Sequence, residues 1–79
     1  MTLDLLPIGQ RARICTVDWS ALVAEEAQRL RAMGLEEGAQ VSVSHRGVFG
    51  GRDPLAVIVG RMTVGVRRAH ARSMEVEPL

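Results

Sequence analysis

Lysine and tyrosine are absent from this 79-residue chain, and cysteine, tryptophan and phenylalanine occur once each. The single cysteine, Cys15, excludes an intrachain disulfide and a cysteine-built zinc cage. It suits a reducing cytoplasm. With one Trp, one Phe and no Tyr, platforms for stacking nucleic-acid bases are scarce. Long apolar runs are missing too. The longest strongly apolar one, Leu55–Val59, is closed by Gly60-Arg61 and falls far short of the ~20 residues a membrane helix needs. The N-terminus carries no basic region and no long apolar stretch, so no signal peptide is expected. Any work at a membrane would need another component as anchor.

Charge of one sign is also lacking. Ten basic and nine acidic residues leave a formal net charge of +1, too balanced to mark a nucleic-acid binder. All ten basic residues are arginine, which biased genome composition explains as well as a binding role does. No phosphate loop is present: Gly47-Val48-Phe49-Gly50-Gly51 lacks a following Lys-Ser/Thr and leads into no helix. No Ser/His/Asp or Cys/His set stands in a catalytic motif, so no enzyme is expected. Hydrophobic residues make up 47% of the chain, enough for one folded domain with one core, placed at residues 3–77.

What is there reads mainly as strand. Residues 3–9 form a short apolar lead-in, and Pro7 argues against a helix interior or a central strand. Arg11–Val17 alternates, with Ala12, Ile14 and Thr16 on one face and Arg13 and Cys15 on the other. Residues 21–33 are the one helix candidate, rich in Ala, Leu, Glu, Gln and Arg. Leu22, Val23, Ala27, Leu30 and Met33 form its apolar stripe, and Gly34 suits the stop. Glu26 projects into that stripe. Either the helix starts late, near Glu25, leaving residues 19–22 as a turn, or Glu26 lies at the edge of the buried face.

Leu35-Glu36-Glu37-Gly38 is a turn. Ala39, Val41 and Val43 then alternate with Gln40, Ser42 and Ser44 as a half-buried strand. Residues 46–54 form a glycine-rich loop. Leu55–Val59 and Met62–Val66 flank Gly60-Arg61, a tight hairpin pairing Val59 with Met62, Val57 with Val64 and Leu55 with Val66. Arg67 to Ser73 is a basic turn with room for one helical turn. Met74 and Val76 against Glu75 and Glu77 give a short last strand. About five short strands and one helix predict a mainly all-β fold: a small, bent, SH3-like barrel with one α-helix inserted after the first strand.

In that order the motifs resemble the FeoA family. They are Leu6-Pro7-Ile8-Gly9, Arg29-Leu30-Arg31-Ala32-Met33-Gly34-Leu35-Glu36-Glu37-Gly38, Gly51-Arg52-Asp53-Pro54-Leu55, and Val66-Arg67-Arg68 followed by Ala71, Met74 and Val76. Each piece is weak alone; the ordered set is fairly specific and covers nearly the whole chain. The sequence departs from the family where His70 replaces a commonly acidic residue. It departs again at residues 18–24, which are longer and more apolar than expected. The resemblance implies a cytoplasmic, non-catalytic accessory protein of ferrous iron transport. It would act beside FeoB, a membrane permease with a cytoplasmic GTPase domain. Family descriptions include transition-metal binding, so weak binding of a divalent metal such as Fe(II) is compatible with it.

The candidate partner-contact residues are Trp19, Val48, Phe49, Arg52 and Asp53, large apolar side chains on loops with a polar rim. The alternative for the apolar three is capping of the barrel ends. Metal-ligand candidates are Cys15, His45, His70 and Asp53. No two stand at helical ligand spacing, so no tight metal site and no cofactor is expected. Arg61, Arg67, Arg68 and Arg72 form a candidate basic patch. They sustain a second reading, a small RNA-binding or transcription-regulatory barrel, though no nucleic-acid partner is expected. Self-association through free strand edges stays open.

Overall fold

The structure, a computed structural model, describes residues 1–47 and 53–79. The lead-in makes a 3-10 turn at Leu3–Leu5 before β1, Arg11–Val17. A second 3-10 turn, Trp19–Ala21, precedes α1, Ala24–Ala32. Then come β2, Gln40–Arg46, the hairpin of β3, Leu55–Val59, and β4, Met62–Val66, the short α2, Arg68–Ala71, and β5, Met74–Pro78. The five strands form one antiparallel sheet in the order β4-β3-β2-β1-β5.

Alternation built this sheet. Inward residues of all five strands meet in one buried cluster, including Ile14, Val43, Val57, Val66 and Val76. Strands from both ends of the sheet therefore share one core, the hallmark of a small barrel. The ladder itself stays open: among the described residues, no pairing joins β4 to β5. The hairpin register is the predicted one, and Gly60 sits at φ +59°, as a primed two-residue turn requires.

Two bulges revise the strand phases. In β1 the register shifts between Ile14 and Thr16, so Cys15 is the extra residue. Phase reverses beyond it: Val17 is buried and Thr16 faces out, against the expected face for Thr16. In β2 the shift between Val43 and His45 leaves Ser44 extra. Beyond it, Arg46 donates through both terminal nitrogens to the carbonyls of Asp4 and Leu6. That ties the lead-in across one end of the barrel, where Leu3 and Leu6 are fully buried.

The helix takes the late start. Trp19, Ser20 and Ala21 form the 3-10 turn, and Val23 is the residue before the first helical turn, 68% exposed rather than part of the stripe. α1 inserts Ala27 and Leu30 into the core, and Met33 packs at its edge. Gly34 closes the helix at φ +88°, a left-handed conformation that side chains resist.

Candidate functional site

Of the five predicted contact residues, the structure describes Trp19 and Asp53. Val48, Phe49 and Arg52 lie outside the described residues. Trp19 is half-buried against the core. The Arg31 guanidinium lies over its ring, 4.1 Å from the centroid. Its indole N–H donates to Glu37 Oε2 at 3.2 Å. The ring is thus held between the 3-10 turn, α1 and the turn before β2. The backbone amide of Glu37 itself, then the Trp19 indole, hold this carboxyl below the usual carboxylate range; the Val17 backbone and Arg31 add to it. A flat aromatic fixed in this way loses little further entropy when its exposed part is covered.

Asp53 is exposed just before β3, and its Oδ1 accepts the Arg68 backbone N–H at 2.7 Å. It therefore caps α2 from the neighbouring start of β3, which pairs with the end of β4 at Leu55–Val66, because Arg67, the cap position by sequence, offers no side-chain bond. Asp53, Pro54 and Arg67 line an open cavity of about 290 Å³. This neighbourhood links the glycine-rich loop to the basic turn, two segments well separated in sequence.

A charged cluster that sequence reasoning missed joins α1 to α2. Glu26 is paired with Arg29 one turn on, and His70 Nδ1 lies 3.5 Å from Glu26 Oε1. The Arg29 hydrogen bond, then the charge of Arg29 and the nearby His70 and Arg67, hold Glu26 below the usual carboxylate range against the opposing effect of burial. Glu26 is thus the polar edge of the helix stripe, as one of the two sequence readings had it. The family departure at His70 has a local counterpart here, since an acidic residue at that position would face Glu26 with like charge. His70 Nδ1 is buried and makes no hydrogen bond among the described residues.

The four metal-ligand candidates sit on separate elements. Cys15 is exposed at the β1 bulge, His45 follows the β2 bulge beside the Ser44 hydroxyl at 3.1 Å, His70 is in α2, and Asp53 caps α2. Among the described residues, no three His, Cys, Asp or Glu side chains are grouped to hold a metal ion. The candidate basic patch is divided. Arg61 is at the hairpin tip, while Arg67, Arg68 and Arg72 lie at the far end of β4. Six residues of extended chain put those ends ~20 Å apart. Arg72 also lies 3.7 Å from the buried Asp4 carboxylate. No described helix is long and apolar enough to cross a membrane.

These features define a small SH3-like barrel with one inserted helix, whose distinctive side chains sit on loops, turns and helix ends. Comparison with known proteins gives the class a family. The model of the FeoA domain matches residues 1–78, and the chain belongs to the FeoA family, which is associated with ferrous iron transport. Solved structures agree. The FeoA protein from Chlorobium tepidum superposes with a TM-score of 0.84 at 32% identity, covering 100% of this chain and 70% of that one. FeoA from Stenotrophomonas maltophilia, solved with zinc and described as a prokaryotic SH3-domain protein, gives 0.72 at 33% identity, covering 98% and 89%. The iron(II) transport protein A of Clostridium thermocellum gives 0.84 at 25% identity; this chain covers 46% of it, and is itself covered completely. Among curated proteins, no sequence is significantly similar to this chain.

Proposed function

We propose that this chain is a cytoplasmic, non-catalytic accessory module of ferrous iron uptake that docks on a FeoB-type permease. The observation that carries the reading is the family match, which runs from residue 1 to residue 78. Its docking residues lie on the loops, with Trp19 and Asp53 among the described ones. Apolar side chains at the helix entry extend this set, notably Val23 at 68% exposure. Such a module acts by preferring one state of its partner, which shifts the permease toward that state. Its own chemistry is not required, and it holds no tight iron site.

The test is a pull-down of the permease from native membranes with the tagged chain. Co-purification that survives moderate salt supports the reading. Recovery of RNA in place of a permease, with capture falling steeply as salt rises, would sink it. Anaerobic Fe(II) titration checks the metal statement, and stoichiometric sub-micromolar binding would overturn that part alone.

A further inference from the structure

The sheet has two edge strands, and the chain treats them differently. β5 is shielded. Thr2 bridges Glu75, and the Val76 amide donates to the Met1 carbonyl at 2.7 Å. Glu75, Glu77 and Pro78 discourage further pairing. Covering segments, charges and proline are the usual means by which proteins stop an edge from recruiting another strand. β4 reads Met-Thr-Val-Gly-Val, with neither charge nor proline. Among the described residues, β3 is its one paired neighbour.

The register decides which backbone groups of β4 are open. Antiparallel partners alternate between bonded and non-bonded pairs. The two-residue turn makes Val59–Met62 a bonded pair, so Val57–Val64 and Leu55–Val66 are bonded as well. The amides and carbonyls of Met62, Val64 and Val66 therefore face β3. Those of Thr63 and Gly65 face away, and no other backbone hydrogen bond of the described residues uses them. Gly65 is exposed and has no side chain, so what it exposes is backbone. A methyl group built there would meet only the Pro54 ring, at 3.7 Å.

Charge selects the occupant. Arg61 and Arg67, both exposed, bracket the open pair, each two residues beyond it, and Arg67 keeps an extended backbone. A second copy docked edge to edge about Val64 would set each Arg61 beside the other copy's Arg67, a like-charge arrangement that disfavours pairing. A strand with carboxylates six positions apart would meet an arginine at each end instead. We propose that the β4 edge binds an extended acidic polypeptide segment by strand addition, through the Thr63 and Gly65 backbone, with Arg61 and Arg67 reading its charge.

The probe is the synthetic peptide acetyl-Glu-Val-Thr-Val-Thr-Val-Glu-amide, titrated into the isotope-labelled full chain. The Thr63 and Gly65 amides should shift most and gain protection from solvent exchange. Thr63→Pro removes one open donor without touching the β3 ladder, since an edge tolerates proline there. It should weaken binding about fivefold. Arg61→Glu should weaken it about threefold, as should exchanging the peptide's two Glu for Lys. If Thr63→Pro disturbs the rest of the spectrum, the Arg61→Glu and Lys-peptide results decide. Shifts centred elsewhere, or equal binding of the Lys peptide, would overturn the proposal. So would self-association of the chain that protects the same two amides, because the occupant would then be a second copy. Neither permease nor iron enters the experiment, so the outcome is independent of docking on FeoB.

Discussion

Replacing Trp19 with Ala separates a clamped structural aromatic from a free interface anchor. The ring is half-buried against the core and lies under the Arg31 guanidinium at 4.1 Å. Half the burial of a large aromatic is worth about 1 kcal/mol. A cation–π contact at an exposed site adds about 0.5–1 kcal/mol. Truncation should therefore cost about 2 kcal/mol. In a domain of this size each kcal/mol lowers Tm by about 4–8 °C, so the expected drop is about 8–16 °C. Trp19→Phe keeps the ring in place and gives up the bond to Glu37, and should fall well inside that drop. Thermal unfolding followed by circular dichroism reads both variants. The chain has one Trp and no Tyr, so wild-type fluorescence reports this side chain alone. A shift of less than about 3 °C for Trp19→Ala would refute the reasoning, because the clamp would then contribute nothing.

Leu30 is fully buried and is the main side chain by which α1 enters the core. Leu30→Ala should cost about 2–5 kcal/mol in chemical denaturation, against a total of about 4–12 kcal/mol for a chain of this length. Asp53→Ala removes the bond to the Arg68 amide and should cost about 1 kcal/mol, seen as faster hydrogen exchange at Arg68. Glu26 has a folded pKa below its ordinary value. Its contribution is thus present above the ordinary carboxylate pKa and is lost as pH falls through the folded value. Glu26→Gln should flatten the acid side of a Tm-against-pH curve; an unchanged acid limb would show that the pair does not couple to folding.

Local pattern carried much of the fold. The hairpin register was legible because all six paired positions are apolar, and a one-residue slip would turn the buried Leu55, Val57, Val59 and Val66 to water. Gly34 and the run before it marked the helix end. The bulges at Cys15 and Ser44 were not legible. Strict alternation along 11–17 puts Thr16 on the inner face; the shift in pairing with β5 after Ile14 reverses that, turning the apolar Val17 inward and the polar Thr16 outward. The candidate site was legible only in part. Trp19 and Asp53 stood out by residue type and loop position. Their actual partners, Arg31, Glu37 and the Arg68 amide, are 12 to 18 residues away in sequence.

By itself the amino-acid order determined the strand pattern, the single inserted helix and the family, since these depend on periodicity and on short motifs read along one chain. Tertiary structure alone decided which carboxylate meets which cation, which loop caps α2, and which sheet edge is left open. Those outcomes depend on how the sheet curls, and curl is set by bulges and packing among residues that no local spacing relates.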